Sequence, residues 1–192
     1  GGDVLFGMSY EHLKPGQRVL DIGIGTGLGS RQFANANLHV TGVDGSEQML
    51  EACRAKGFAH ELVKCDLNEL PLRFDDCSFD HAVSCGVLHF FGDLAPLTRE
   101  VERLIGAGGV FVFTVAALTE VEERNAETTQ GYLPKNTPWG IVIYRHFDSY
   151  IEKLLGNRGF AVLKKQKLLV KGDSDQGDDD LHRAYVAIKQ TT

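Results

Sequence analysis

An aspartate followed by alternating glycines is the part of this 192-residue sequence with the clearest chemistry. Asp21 lies in a short run of branched apolar residues, and Gly23, Gly25 and Gly27 follow it. Glycine adopts positive φ and lets a second molecule approach the backbone closely. The helix expected next would present unpaired N–H groups at its start. We therefore expect a ligand site between a buried strand and a helix, with a carboxylate suited to a cation or an amine.

The glycine spacing differs from the dinucleotide-binding fingerprint, which requires glycines at the first, third and sixth positions of a window. Counting from Gly23, the sixth position is Leu28, and counting from Gly25 it is Ser30. An acid before the loop also suits an amine better than a pyrophosphate. Both observations disfavour a nicotinamide-dependent oxidoreductase, which is kept as an alternative enzyme class.

Polar residues also end the next three predicted strands. Asp44 follows Asp21 by 23 residues, and an acid at about this separation accepts hydrogen bonds from ribose hydroxyls in nucleoside-binding sheets. Asp66 and Cys85 end the strands after it. Because the carboxyl ends of parallel strands share one edge, we expect all four residues to lie together.

Strands and helices alternate along most of the chain. We predict helices near 28–36, 46–56, 94–105 and 149–155, and strands near 18–22, 39–44, 61–65, 81–85, 110–116, 161–170 and 184–189. Alternation of this kind is typical of a parallel sheet covered by helices on both faces. The last two strands read as an antiparallel hairpin. The expected fold is α/β, with a mostly parallel seven-stranded sheet and a C-terminal antiparallel hairpin, in a single domain over residues 1–192.

Two segments interrupt this regularity. Residues 1–17 form an N-terminal segment, in which Gly1 and Gly2 are interpreted as a cut end or a cloning remnant. Residues 119–140 are irregular and form a candidate lid or acceptor-site insertion, since long insertions often cover binding sites. Tyr132 and Trp139 are candidates for the wall of an acceptor pocket. A short strand is expected at 141–144, and a capping box is expected from Ser149 to Glu152.

Composition narrows the functional classes. The formal net charge is −6, which disfavours nucleic acid as a partner, and the short cluster of Lys164, Lys165 and Lys167 is interpreted as a solvated strand face. The longest apolar run is too short to cross a bilayer, so no membrane association is expected. With no visible signal peptide, a cytoplasmic location is expected.

No metal site is expected. The four cysteines form no C-x-x-C pair and are interpreted as reduced thiols in or near the core. The acidic stretch 172–180 fails the calcium-loop pattern, because the sixth position from Asp173 is Asp178 and the twelfth is Ala184. It is interpreted as the solvated tip of the C-terminal hairpin.

Several motifs together resemble the class I S-adenosylmethionine-dependent methyltransferases. These are the acid and glycine loop at 19–30, the pair Asp66-Leu67, the stretch SFDHAVSCGVLHFF, and LIGAGGVFVFT with Ala107 at the usual proline position. The resemblance extends to small-molecule enzymes with a methyltransferase type 11 or type 25 domain. It implies a Rossmann-like three-layer sandwich, S-adenosylmethionine as cofactor, and S-adenosylhomocysteine as product.

The same resemblance implies a role for each cofactor-site residue. The glycines would lie against the methionine part of the cofactor, Asp21 would hold its ammonium through water, and Asp44 would accept from the ribose hydroxyls. Asp66 would read adenine. The full predicted set is Asp21, Gly23, Gly25, Gly27, Asp44, Gly45, Ser46, Met49, Asp66, Leu67, Cys85 and Gly86.

The implied reaction is in-line displacement at the sulfonium methyl carbon, with a small molecule as the methyl acceptor. Alignment of donor and acceptor supplies most of the catalysis, and a base is needed only if the acceptor carries a proton. His89 is the first candidate for that base, His146 the second and Tyr144 the third. A non-catalytic S-adenosylmethionine-binding module is the second alternative.

Overall fold

Nine strands and six α-helices make up the part of the chain that this computed structural model describes, which is residues 1–126, 128–170 and 180–191. The strands are β1 Arg18–Ile22, β2 His39–Asp44, β3 Glu61–Lys64, β4 His81–Ser84, β5 Val110–Ala117, β6 Tyr132–Asn136, β7 Val142–His146, β8 Phe160–Val170 and β9 Asp180–Lys189. The helices are α1 Gly2–Ser9, α2 Arg31–Asn35, α3 Glu47–Arg54, α4 Ala95–Leu104, α5 Glu120–Asn125 and α6 Asp148–Gly156. Short 3-10 helices occur at Tyr10–His12 and Leu88–Phe90.

The strands form one sheet in the order β3-β2-β1-β4-β5-β7-β6. The pairs from β3 to β5 are all parallel, and β9 pairs antiparallel with β5 and with β8. This confirms the predicted α/β class and the C-terminal antiparallel pair. Residues 172–179 of the predicted acidic hairpin tip lie outside the described residues, and Asp180 is the first residue of β9.

Alternation along each strand sends side chains to two apolar layers. In β5, Phe111 and Phe113 join the layer with α4 and α6, whereas Val110 and Val112 join the layer with α1, α2 and α3. This is the period of two expected when both faces of a sheet are covered by helices. The three-layer arrangement is therefore built from the branched and aromatic residues of the strands.

The segment 119–140 contains more regular structure than expected. It forms α5, and β6 pairs antiparallel with β7 over five residue pairs. Its prolines and glycines suggested a loop, but Pro134 is tolerated because β6 lies at the edge of the sheet. Strand β7 corresponds to the short strand expected at 141–144, whereas β6 was not expected, and the described residues form nine strands where the predicted sheet has seven.

Helix α5 is attached to the sheet by charge. Thr119 and Glu122 form a capping box at its start, and none of its side chains is buried. It forms ion pairs to three different strands: Glu120 with Lys167, Glu122 with Arg145, and Glu123 with Arg183. Glu123 Oε1 also accepts from Asp148 N at 3.2 Å. This helix is therefore held by ion pairs rather than by buried apolar side chains.

Two predicted helix starts differ in the structure. The expected capping box at Ser149 and Glu152 does not form, because α6 begins at Asp148 with Phe147 as N-cap, and Glu152 instead accepts from Lys165 Nζ at 2.7 Å. Helix α2 begins at Arg31 rather than near residue 28, because residues 28–30 form a turn. Among the described residues, no helix is long and apolar enough to span a membrane.

A tight loop joins α4 to β5 and positions the strand next to β4. Gly106 N donates to Phe79 O at 3.0 Å, and Gly109 N donates to Gly106 O at 3.1 Å. A Cβ on Gly109 would overlap the carbonyl oxygen of Asp80, which belongs to rigid backbone. This contact explains why glycine is needed at position 109.

We expect Gly109→Ala to lower the free energy of unfolding by about 1–3 kcal/mol, because the added methyl displaces the backbone before β4. Gly156→Ala is the matched control, since a Cβ there meets nothing within 4 Å. Urea denaturation measures both variants. Equal midpoints for Gly109→Ala and the parent protein would contradict the packing argument.

Candidate cofactor site

Two adjoining cavities lie at the carboxyl edge of the sheet, with volumes of about 630 and 240 Å³. They share four lining residues: Gly23, Asp44, Val87 and Phe90. Ten of the twelve predicted cofactor residues line one or both cavities: Gly23, Gly25, Asp44, Gly45, Ser46, Met49, Asp66, Leu67, Cys85 and Gly86. The sequence motifs therefore converge on one place.

The three alternating glycines have different roles in the structure. All have positive φ, at 74° for Gly23, 53° for Gly25 and 85° for Gly27. A Cβ on Gly23 would overlap the Val87 side chain, whereas a Cβ on Gly25 would meet nothing within 4 Å. Gly25 is therefore the glycine of the three that leaves open space for a ligand.

Gly27 faces the protein and not the cavity. A Cβ on Gly27 would lie 2.5 Å from the Phe58 ring and 2.7 Å from the Cys53 sulfur. Gly27 lines neither of the two cavities, and its expected contact with the cofactor stays a prediction. Its missing side chain makes room for the layer beneath the loop.

The Asp44 carboxylate is held by two backbone groups. Gly25 N donates to Oδ2 at 2.8 Å, and Ser46 N donates to Oδ1 at 2.9 Å. Each oxygen keeps a further lone pair on the cavity side, which suits the two donors of a ribose diol. Ser46 also caps α3 by accepting from Met49 N, so the same turn fixes both elements.

Asp66 both caps a turn and lines the smaller cavity. Asn68 donates to its Oδ1 from the backbone at 2.9 Å and from the side chain at 2.8 Å. These bonds, the backbone one first, hold the pKa of Asp66 below its ordinary value, so it is ionised and can accept from an amine. Leu67 is nearly buried beside it, and Met49 is 44% exposed in the adjoining cavity.

The turn after β4 is held from β5. Gly86 has φ of 74° and donates its N–H to Thr114 Oγ1 at 2.9 Å. Burial is the main cause that raises the pKa of the neighbouring Cys85 thiol, which therefore stays neutral. Both residues line the larger cavity, and the expected contact of their carbonyl groups with the cofactor stays a prediction.

Asp21 is buried beneath the glycine loop with 1% of its surface exposed. Its Oδ2 has no hydrogen-bond partner among the described residues. Burial is the main cause that raises the pKa of Asp21 to about 7; the nearby Ser30 hydroxyl opposes this rise, and the Asp44 carboxylate adds to it. A buried carboxyl with an unused oxygen fits a group that brings positive charge.

The first candidate base, His89, is half-buried next to the cavity wall. Its ring centroid lies 4.3 Å from that of Phe90 and 5.7 Å from that of His182. Phe90 lines both cavities, so His89 is placed one residue from the wall.

The second and third candidate bases lie in an aromatic cluster. His146 is fully buried, and its Nε2 contacts Gly92 O at 2.9 Å, so that this nitrogen carries the donated proton. Burial lowers the pKa of His146 to about 4. The expectation of His146 as base is therefore corrected to a packing role. Tyr144 packs on Tyr132 with ring centroids 5.7 Å apart, in the same cluster.

Neither aromatic candidate for the acceptor wall lies where the sequence suggested. Trp139 is 66% exposed in the turn between β6 and β7, and Tyr132 packs against Tyr150 with centroids 5.9 Å apart. Apolar side chains of Val87, Phe90 and Phe91 instead form one wall of the smaller cavity, which Asp44 and Asp66 also line. The sequence shows apolar residues here, in the stretch Leu-His-Phe-Phe. Apolar residues after a strand do not by themselves show whether they form a cavity wall or part of the core.

These features fit S-adenosylmethionine. The open space at Gly25, the free side of the Asp44 carboxylate and the unpaired oxygen of Asp21 match a backbone approach, a ribose diol and an ammonium group. A parallel sheet with a site of this kind is typical of the class I, S-adenosylmethionine-dependent methyltransferases.

Comparison with known proteins agrees. Residues 20–113, about half of the chain, match the family described as a methyltransferase domain, which confirms the resemblance to the S-adenosylmethionine-dependent methyltransferases. A methyltransferase from Methanosarcina mazei superposes with a TM-score of 0.77 at 18% identity, covering 96% of this chain and 98% of that one.

Two curated relatives have different acceptors in their names. A malonyl-[acyl-carrier protein] O-methyltransferase from Serratia marcescens is 33% identical over 64% of this chain and 46% of its own length. A probable tRNA methyltransferase 9B from Bos taurus is 33% identical over 64% of this chain and 26% of its own length. The chain thus spans about half, or less, of the curated relatives it matches.

We expect Gly25→Ala and Gly27→Ala to separate binding from folding. Gly25→Ala places a methyl group in the open space and should weaken S-adenosylhomocysteine binding at least about tenfold, with a loss of stability of about 1–2 kcal/mol from positive φ. Gly27→Ala adds a clash with Phe58 and should lose more stability. Calorimetric titration and thermal unfolding measure the two effects. The reverse ranking in either measurement would contradict the assignment.

Asp21 predicts opposite pH dependences for stability and for binding. Its folded pKa of about 7 exceeds the unfolded value of 3.8, so its contribution to apo stability is lost as pH rises through 7. An ammonium ligand needs the carboxylate, so affinity should fall by up to about tenfold per pH unit below 7. Asp21→Asn should weaken S-adenosylhomocysteine binding and should remove the pH dependence of both stability and affinity. It should also raise the melting temperature of the apo protein at pH 8. An unchanged pH slope in titrations of the variant would exclude Asp21.

Proposed function

We propose that this chain transfers a methyl group from S-adenosylmethionine to a small-molecule acceptor. The observation that carries the proposal is the apolar rim of the larger cavity, where Leu28, Met49 and Phe90 are 70%, 44% and 48% exposed. Exposed apolar side chains around a cofactor site favour a compact, largely apolar ligand.

The charge distribution also favours a small acceptor over nucleic acid. Lys164 pairs with Glu11, Lys165 with Asp148 and Glu152, and Lys167 with Glu120. Each lysine of the cluster is therefore already paired with an acid, which leaves no excess positive charge there for phosphates. A cytoplasmic location stays a prediction.

The cofactor supplies an electrophilic methyl group on a sulfonium, and the protein residues bind and orient. Asp44 would accept from the ribose, Asp66 from the adenine amine, and Asp21 would balance the ammonium. Val87 and Phe90 line both cavities and would limit access of water to the bound cofactor, so that alignment of donor and acceptor carries most of the rate enhancement.

His89 remains our proposed base for an acceptor that carries a proton. It is half-buried beside Phe90, at the end of the site where Cys85 and Gly86 turn away from β4. Tyr144 is kept as the weaker candidate, because it lies with Tyr132 in the aromatic cluster.

The cofactor is tested by titration with S-adenosylhomocysteine and NADH. We expect the first to bind, and binding of NADH alone would overturn the proposal in favour of the oxidoreductase alternative. Transfer of labelled methyl is then measured on apolar acids, phenols and amines, on unmodified tRNA, and on a malonylated acyl carrier protein. Methylation of a small molecule supports the proposal. Transfer only to tRNA or to the carrier protein contradicts it, and binding without any transfer indicates a non-catalytic module.

His89→Gln tests the base on whichever acceptor is methylated. Loss of a general base should lower kcat about 100-fold or more while leaving S-adenosylhomocysteine affinity unchanged. His39→Gln is the matched control, because His39 is exposed at the first residue of β2, away from the cavities. Equal kcat for the two variants would remove His89 from the mechanism.

A further inference from the structure

Two phenylalanines close the smaller cavity, and the element that carries them is weak. Phe90 and Phe91 line this cavity together with Asp44 and Asp66. They belong to a 3-10 turn with two backbone hydrogen bonds, from Phe90 N to Val87 O at 3.0 Å and from Phe91 N to Leu88 O at 3.2 Å. Such short turns have poor hydrogen-bond geometry and need external support.

That support comes from residues more than 50 positions later. Leu94 N donates to the Tyr150 hydroxyl at 2.8 Å, and the same hydroxyl donates to Asp93 Oδ1 at 3.0 Å. His146 Nε2 bonds Gly92 O at 2.9 Å. Three consecutive residues after the wall are therefore held by two side chains from the β7–α6 region.

Ring packing makes this support rigid. Tyr132, His146 and Tyr150 lie with ring centroids 5.9 Å apart in each pair. A Cβ on Gly92 would lie 2.6 Å from Tyr132 Cε2, so the loop backbone sits directly on the cluster. The β6–β7 hairpin thus contributes to the site from behind the wall and not as a cover over it.

We propose that Tyr150 is a positioning residue for cofactor binding, whose hydroxyl holds the loop that carries the Phe90–Phe91 wall. The hydroxyl acts as donor and acceptor at once, which fixes both the Asp93 side chain and the start of α4. Burial raises the pKa of Tyr150, so the donated proton is retained at physiological pH. The inference rests on the cofactor assignment and adds a residue that does not touch the cofactor.

Tyr150→Phe removes both hydrogen bonds and keeps the ring packing. We expect the Kd for S-adenosylhomocysteine to rise about tenfold, because the Leu94 N–H is left without its acceptor and the wall loses its fixed position. Amide hydrogen exchange over residues 88–94 should quicken in the same variant, whether or not ligand is present.

Matched variants separate positioning from general destabilisation. Ile151→Val removes a buried methyl group from the same helix and should lower stability while leaving the Kd unchanged. Tyr10→Phe changes a tyrosine that is 64% exposed and should change neither. Asp93→Asn keeps an acceptor oxygen and should retain affinity within about twofold.

Gly92→Ala is a second variant, for use if Tyr150→Phe does not fold. The added methyl group would clash with the Tyr132 ring and displace the backbone that follows Phe91, so it should also weaken S-adenosylhomocysteine binding. Tyr150→Phe with the parent Kd, or Ile151→Val with an equally raised Kd, overturns the positioning role alone. A parent protein that does not bind S-adenosylhomocysteine overturns the cofactor assignment as well, so the two failures are distinguishable.

Discussion

Parallel pairing of β1 with β2 on one side and β4 on the other is the constraint on which the site depends. Register along these strands brings Asp21, Asp44 and the Cys85–Gly86 turn to one edge, although more than 60 residues separate the first from the last. A shift of one residue in either pair would send the acids to the opposite face. The apolar layers on both faces therefore stabilise the site as well as the fold.

Steric exclusion inside the glycine loop completes the site. Because Gly23 and Gly27 have no side chains, Val87 and Phe58 pack directly against the loop. Gly25 has open space beside it, where a ligand can contact the backbone. The glycine loop thus allows close packing of side chains on its protein side and access of a ligand on its cavity side. Asp21 lies under this loop, and its Oδ2 has no hydrogen-bond partner among the described residues. A cationic ligand would supply the positive charge that this buried carboxyl group lacks.

The central strands and most cavity residues could be predicted from sequence, since buried strands bounded by glycine and acid are local signals. Strand β2 matches its predicted bounds, and β4 and β5 differ by one residue. The packing partners of Gly27 and the support of the cavity wall could not be predicted. They arise from contacts such as Tyr150 with Leu94, which join residues 56 positions apart and leave no periodic pattern.

Helix α5 is attached to the rest of the protein by ion pairs and not by apolar packing. A six-residue helix is too short to persist alone, and this one has no apolar side chain in the core. Its ion pairs reach β7, β8 and β9, and those with exposed partners are screened as salt concentration rises. Added salt is therefore expected to weaken the contact of Glu120 with Lys167, which are 70% and 55% exposed, more than the contact of Glu123 with the buried Arg183. The protein thus combines a core stabilised by hydrophobic packing with a surface helix, α5, whose attachment is expected to depend on salt concentration.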